Sequence, residues 1–270
     1  MPELPEVEVL RRQLAGEVVG RSVVDAGSHW SDKFTPALEA VGAELTQAGR
    51  RGKYLLLGLD DDRELVVHLG MSGSLTLAAA PAGAGTAEPD PHCRAWWLLD
   101  DGRTLALRDV RRFGRVRVVP RGDYSGLGLL ASMGPEPFDP DLDPTTFWQR
   151  SRASRRAVKS QLLGQRLIAG VGNIYADEAL FAAGIRPSAR RITRDQAGRL
   201  LESLRSVLAA GIANGGTTLR DYANLAGSGD NQNHLVCYGR AGRPCVRCGS
   251  ELRRSVIEGR GTTWCPVCQR

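Results

Sequence analysis

The plainest chemical pattern in this sequence lies near its end. Cys245 and Cys248 are separated by two residues, as are Cys265 and Cys268, and 16 residues lie between the pairs. Two such pairs supply four thiolates for a tetrahedral Zn²⁺, with each pair on a tight turn and the residues between them able to form a β-hairpin. The competing arrangement, two disulfides, belongs to secreted domains. Secretion by a signal peptide is not expected, because Met1–Leu10 carries glutamates where such a peptide needs basic residues and an apolar core. Four protein ligands leave no open position for water, so one structural Zn²⁺ is expected, replacing a core that so short a segment cannot build. Cys93 and Cys237 stand alone and read as ordinary thiols.

The other end of the chain offers a nucleophile. Methionine before a small residue such as Pro2 is normally removed, which would leave a secondary amine on a rigid ring. An α-amine has a pKa near 8, roughly two units below that of lysine, so much more of it is unprotonated at neutral pH. It can attack an electrophilic carbon and form an iminium (Schiff base) intermediate. Glu3 and Glu6 lie beside it and could move protons or hold the terminus, although glutamates here also suit the start of a helix. Further along, Gly170-Val171-Gly172-Asn173 precedes a helical stretch and follows Arg155, Arg156, Lys159 and Arg166. Glycines allow a close backbone approach and a helix start offers N–H groups to an anion, so this is either a phosphate clamp or a plain turn. Arg260 lies between the cysteine pairs and is flanked by glycines, where it could meet a phosphate.

These groups need a scaffold, and the composition permits one. Hydrophobic residues make up 42% and charged residues 24% of 270, which excludes disordered and collagen-like classes, and no apolar run is long enough for a transmembrane helix. The net charge of +6 conceals an asymmetry: residues 1–149 hold 16 basic and 22 acidic residues, and residues 150–270 hold 20 and 8. A basic half joined to an acidic one points to a polyanion, most often nucleic acid. Residues 5–19 read as an amphipathic helix. Short strands are expected at Tyr54–Leu59, Glu64–Leu69, Ser74–Leu77, Ala95–Leu99, Thr104–Leu107 and Arg115–Val119, as in an antiparallel sandwich or barrel. Pro81–Pro91 has the composition of a mobile loop. Beyond the Pro- and Asp-rich Gly134–Pro144 the period turns helical. One helix is expected over Thr146–Leu163, a second over Asn173–Ala183 with Asn173 as its N-cap, and a third over Thr193–Ile212 with Thr193 and Gln196 as a capping box.

Taken in order, the motifs resemble the formamidopyrimidine-DNA glycosylase family, which is related to endonuclease VIII. The similarity rests on Met1-Pro2-Glu3-Leu4-Pro5-Glu6-Val7-Glu8, Lys53–Leu57, His68–Gly73, Arg111-Arg112-Phe113-Gly114, Val171–Glu178, Gly215–Leu219 and the four-cysteine finger, which together span nearly the whole chain. The resemblance implies an α+β multidomain fold. Its parts would be an N-terminal antiparallel β-sandwich with a flanking helix (1–134), a linker (135–145), a helical domain with a helix–two-turn–helix (146–236) and a four-cysteine zinc-finger β-hairpin (237–270).

It also implies a bifunctional enzyme of base excision repair, acting on damaged double-stranded DNA as a monomer in the bacterial cytosol, with no membrane and no small-molecule cofactor. Pro2 would attack C1′, Glu3 would move protons at the sugar, and Lys53 and Arg260 complete the catalytic set. Lys53, Asn173 and Arg260 would grip phosphates, joined by His92 and Lys159. Met71, Arg111 and Phe113 would fill the gap left by the flipped nucleotide. The chain departs from the family pattern at Val110, where a proline is usual, at Gly164, where an acidic residue is common, and in Asn224–Leu235, which lacks an aromatic. These departures bear on the choice between oxidised purines and oxidised pyrimidines or abasic sites. A reading of another class, a zinc-dependent damaged-DNA-binding protein without catalysis, is opposed by the presence of Pro2, Glu3 and Lys53.

Overall fold

The first helix sets the N-terminal architecture. In the computed structural model, which describes residues 1–79, 90–218, 225 and 227–270, α1 spans Leu4–Glu17. Leu4, Val7, Leu10 and Leu14 are buried, and the last three pack with strand residues such as Leu55, Leu57, Val67 and Trp97 into one core. Each such buried aliphatic contributes on the order of 1.5–3 kcal/mol. Eight antiparallel strands follow among the described residues: β1 (Arg21–Ser28), β2 (Glu44–Arg51), β3 (Tyr54–Leu59), β4 (Arg63–His68), β5 (Gly73–Ala79), β6 (Cys93–Leu99), β7 (Arg103–Asp109) and β8 (Arg115–Pro120). Their order across the sheet is β5-β7-β6-β1-β2-β3-β4-β8. Strand β1 is the seam. Arg21 and Ser22 pair with β2, and the residues from Val23 onward pair with β6 after a register shift.

All six expected strands are present: β3 has the expected bounds, β4 is shifted by one residue, and the other four are longer by one to three residues. The two that periodicity missed are β1 and β2. In β1 the register shift between Val23 and Asp25 breaks the alternation, and in β2 only Leu45 and Ala48 are buried. Both are strands because of their neighbours, not their own pattern. The stretch Pro81–Pro91 lies, apart from Asp90 and Pro91, outside the described residues.

The chain divides into two compact units, residues 1–131 with 215–230, and residues 132–214 with 231–270. In the second, α2 (Pro144–Arg152) is capped by Asp143, whose carboxylate accepts from the Thr145 and Thr146 N–H groups. The single helix expected over Thr146–Leu163 is broken: α3 is a separate Val158–Leu163. No apolar residue longer than alanine falls between Arg152 and Val158, and the Val158 and Lys159 N–H groups bond instead to Ala189 O (2.7 Å) and Pro187 O (3.2 Å). Helix α4 covers Asn173–Ala183 and α5 covers Arg194–Ala213. The cap of α4 is Gly172, so Asn173 is its first helical residue, one place later than expected. The capping box of Thr193 and Gln196 is formed. A hairpin of β9 (Arg253–Ile257) and β10 (Arg260–Trp264) closes the unit. No described helix is long and apolar enough to cross a membrane.

One residue at the end of β4 links this fold to pH. Burial, then the charges of Lys53 and Arg115, push His68 down to about 4 from 6.5. Gly70 N–H donates to its Nδ1 (3.2 Å), which fixes the neutral ring with its proton on Nε2. The unfolded chain takes up this proton near pH 6.5 and the folded chain resists it until near 4, so its contribution is intact above 6.5 and is lost as pH falls between those values. His68→Gln is expected to lose less stability between pH 7 and 4.5 than the wild type, by on the order of 2 kcal/mol. Urea unfolding at the two pH values measures this; identical losses would show that His68 is not the group responsible.

Candidate functional site

In the first unit the N-terminal segment is fastened from below. Pro2, Glu3 and Glu6 are all buried, with Glu3 3% and Glu6 1% exposed. Glu3 caps α1 in a reciprocal box, and its N–H donates to Glu6 Oε2 (2.8 Å). The other oxygen, Glu6 Oε1, accepts from Thr217 N–H (2.7 Å). Glu6 therefore ties the chain start to the turn at Gly215–Thr217. At Gly216 φ is +87°, and a Cβ there would stand 3.1 Å from Glu6 Cγ, so the turn requires glycine. The amine that Pro2 would expose is thus positioned by a rigid helix and a buried carboxylate, and the acid nearest it in sequence, Glu3, is immobile at the helix cap.

A second cluster gathers Met71, His92, Arg111 and Phe113. Its centre is Asp109, which has no exposed surface and which composition and periodicity had not singled out. Asp109 Oδ1 accepts from Ser72 Oγ (2.6 Å) and Arg111 N–H (3.2 Å), and Oδ2 accepts from Gly114 N–H (2.6 Å). Arg94, 2% exposed, donates from Nε to Asp109 O (2.7 Å) and from Nη1 to Pro91 O (3.0 Å), and its Nη2 lies 3.5 Å from His92 Nδ1. The turn that carries Met71 meets this loop at Gly70, where a Cβ would lie 2.5 Å from Phe113 C and Gly114 N. Phe113 is 46% exposed, and the Arg111 guanidinium sits over its ring at 4.8 Å. The aromatic is thus held out of the core, beside an arginine and with a methionine on the neighbouring turn. Lys53 follows Gly52 in the β2–β3 turn and is 6% exposed. It lies near enough to His68 to depress that ring's basicity.

In the second unit the four cysteine sulfurs lie within 4.8 Å of one another. Cys245 and Cys268 sulfurs are 3.9 Å apart and those of Cys248 and Cys265 3.5 Å, against about 3.8 Å for thiolates at tetrahedral corners around zinc. The Arg247 and Cys268 N–H groups point at Cys245 Sγ and Cys265 Sγ (3.4 Å each), as is suited to charged thiolates. The donor set fits one structural Zn²⁺. Helix α4 anchors the finger: Glu178 accepts from the N–H groups of Val236, Cys237 and Tyr238, and Arg247 caps the α4 carbonyls of Phe181 and Ala182.

The finger's hairpin turns at Glu258 (φ +46°) and Gly259 (φ +75°), both left-handed as a two-residue turn requires, and presents Arg260 exposed at its tip. Here the structure corrects the sequence reading. Lys159, expected at a phosphate, is 0% exposed and cannot reach one. Its Nζ pairs with Asp177 Oδ1 (2.6 Å) and donates to Gly261 O (3.0 Å) and Thr262 Oγ1 (2.9 Å). Burial pushes Asp177 up to about 6 despite that cation, and its other oxygen holds Thr263 N–H (2.9 Å). Asn173, half-buried, also donates to Gly261 O (3.1 Å). Lys159 and Asn173 are therefore braces under the Arg260 hairpin, and Asn173 keeps a second amide hydrogen for a ligand. Arg156, paired with Glu258, steadies the tip from outside.

Comparison with known proteins agrees along the whole chain. Residues 1–116 match the protein-family model described as the formamidopyrimidine-DNA glycosylase N-terminal domain, residues 133–223 the H2TH domain of the same enzyme, and residues 242–270 the zinc finger found in FPG and IleRS. A formamidopyrimidine-DNA glycosylase of Thermus thermophilus is 44% identical over 100% of this chain and 98% of its own length, and one of Deinococcus radiodurans is 40% identical over 100% and 97%. The crystal structure of the MutM (Fpg) protein of Thermus thermophilus superimposes with a TM-score of 0.90, at 44% identity, over 99% of this chain and 98% of that one. A Lactococcus lactis FPG mutant in complex with Fapy-dG-containing DNA gives 0.91 at 34% identity, with both chains covered in full.

Two outcomes test this site. Removing zinc with a chelator is expected to abolish nucleic-acid binding, since the apolar cluster of the finger is small and two of its members, Cys245 and Cys265, are themselves ligands; unchanged affinity would show that the metal is dispensable. Lys159→Met is expected to weaken binding as much as Arg260→Ala does, and both should lower the salt slope by about one phosphate contact, near 0.9. The double variant should be no worse than either, because both remove the same contact. Additive losses would give Lys159 a contact of its own.

Proposed function

This chain belongs to the formamidopyrimidine-DNA glycosylase family, and from that membership we propose how its residues carry out the reaction. The protein is a bifunctional DNA glycosylase and AP lyase of base excision repair, and its partner is damaged double-stranded DNA. Its substrates are oxidised purines, formamidopyrimidine and 8-oxoguanine. One Zn²⁺ on Cys245, Cys248, Cys265 and Cys268 serves structure alone.

A base inside the duplex is out of reach, so the damaged nucleotide must leave the stack at an expense of a few kcal/mol. Met71, Arg111 and Phe113 fill the vacancy, with Arg111 addressing the orphaned base. Removal of Met1 frees the secondary amine of Pro2, which attacks C1′ and displaces the damaged base. The nitrogen then gives up its proton, and its lone pair forms the iminium as the C1′–O4′ bond breaks and O4′ takes up a proton. Loss of a proton from C2′ expels the 3′ phosphate, and a second elimination expels the 5′ phosphate. Glu3, held at the helix cap beside Pro2, exchanges protons at the sugar ring and C1′. Lys53, His92, Asn173 and Arg260 hold backbone phosphates, contacts that are independent of sequence and weakened by salt. The enzyme acts as a monomer in the bacterial cytosol.

The observation that best supports this reading is the Glu3–Glu6–Thr217 clamp. A start that served only as helix charge would not need a buried carboxylate spending both oxygens on main-chain donors. Borohydride added to protein and an 8-oxoguanine or abasic duplex should trap a covalent adduct with wild type, and Pro2→Gly should trap about tenfold less or worse. No wild-type adduct would leave a DNA-binding protein without catalysis; equal trapping by Pro2→Gly would move the nucleophile elsewhere. A panel of lesion duplexes ranks oxidised purines against oxidised pyrimidines. The loop Asn224–Leu235, which bears on that ranking, lies partly outside the described residues.

A further inference from the structure

Trp30 is 89% exposed, more than any other large hydrophobic side chain among the described residues. An indole carries roughly 200 Å² of mostly apolar surface, which folded chains usually cover. This one is not on a loose loop. His29 N–H bonds to Arg94 O (2.9 Å) on one side of it. On the other, Ser31 O accepts from Phe34 N–H, Thr35 N–H and Thr35 Oγ1 (2.9 Å each), and Phe34 is plugged into the core at 1% exposure. The backbone around Trp30 is therefore fixed, and the ring is held out in solvent.

Its neighbourhood gives the occupant. The same turn is stitched to the loop that bears Arg111 and Phe113: Lys33 Nζ donates to Arg112 O (3.0 Å), Val116 N–H donates to Lys33 O (2.7 Å), and Arg117 Nη1 donates to Asp32 O (2.5 Å). Two residues lie between Trp30 and Lys33, so their Cα atoms are at most about 11 Å apart. The exposed apolar groups Val110 and Phe113 and the exposed cations Arg111, Arg112 and Arg115 thus lie on the loop to which the turn of Trp30 and Lys33 is tied. That mixture suits a polyanion with apolar sugar and base edges. We propose that Trp30 is a further duplex-DNA contact, packing its indole against the sugar and unstacked base edges of the strand opposite the lesion, beside the step that Phe113 opens. The inference rests on the reading of Arg111 and Phe113 as groups that enter the helix. A kink at that step exposes faces on which an aromatic ring can stack.

The test uses full-length, zinc-loaded protein and a duplex carrying a tetrahydrofuran abasic-site analogue. Because Trp30 touches so little of the protein, Trp30→Ala should keep the wild-type thermal midpoint. Its affinity for the duplex should fall about tenfold, the size of one base–aromatic contact. The slope of log Kd against log salt should not change, since no charge is removed, and Trp30→Phe should recover most of the loss. Acrylamide quenching of wild-type tryptophan fluorescence should fall when duplex is added, and that protection should be absent from Trp30→Phe. Equal affinity of Trp30→Ala and wild type, in a preparation where wild type binds, overturns this inference alone; failure of wild type to bind the duplex overturns the enzymatic reading with it. Protection that rises with protein concentration without DNA would assign the face to a second copy and overturn the proposal.

Discussion

A buried carboxylate that spends its oxygens on several hydrogen-bond donors is the interaction on which the candidate site depends. Asp109 shows it most fully. With no exposed surface, it gathers Ser72, Arg111 and Gly114 onto its two oxygens. Those three bonds decide where Met71, Arg111 and Phe113 stand. An ionised carboxylate out of water is tolerable only when it is hydrogen-bonded from several sides, and once it is, the donors cannot move independently. Rigidity is what the proposed wedge role would require, because an aromatic that swung back into the protein would fill no gap in DNA.

The same device recurs wherever a functional group has to be held still. Glu6 joins the chain start to the Thr217 turn, Glu178 takes the three N–H groups that lead into the finger, and Asp177 with Lys159 fixes the strand behind Arg260. In each of these three cases the acid lies on a helix and takes main-chain donors from a segment distant in sequence. Zinc plays the corresponding part in the finger, where four thiolates replace the apolar core that a short hairpin lacks. The unequal charge along the chain also reads differently with the fold in view. Several arginines of the basic half, Arg205 and Arg247 among them, hold backbone carbonyls inside the second unit, so net charge overstates the cations available to a phosphate.

What the sequence disclosed followed the range of the interactions. Local pattern located α1, α5 and six strands: buried residues recur every three or four along the helices, and the strands are short runs rich in β-branched, aliphatic or aromatic residues. It failed at β1 and β2, which borrow their order from neighbours, and it fused α2 with α3 because the break is made by distant carbonyls at Pro187 and Ala189. The Cys245, Cys248, Cys265 and Cys268 set was legible because ligand chemistry fixes both residue type and spacing.

By itself, then, the sequence determined the class of chemistry: a proline amine at the start, four thiolates at the end, and ordered motifs between them that resemble one family of repair enzymes. Tertiary structure alone decided what each charge does. Lys159 and Arg260 are both cations in the basic half, and nothing in their local sequence separates a buried brace from a displayed cation. One is sealed at 0% exposure against Asp177 and the other is displayed on a left-handed turn. Burial is a property of what packs above a residue, and that covering comes from segments as many as a hundred positions away, as the bonds from Lys159 to Gly261 and Thr262 show. Asp109 and Trp30 make the same point from opposite sides: a polar residue wholly enclosed and an apolar one wholly displayed, each set there by long-range contacts that no local pattern encodes.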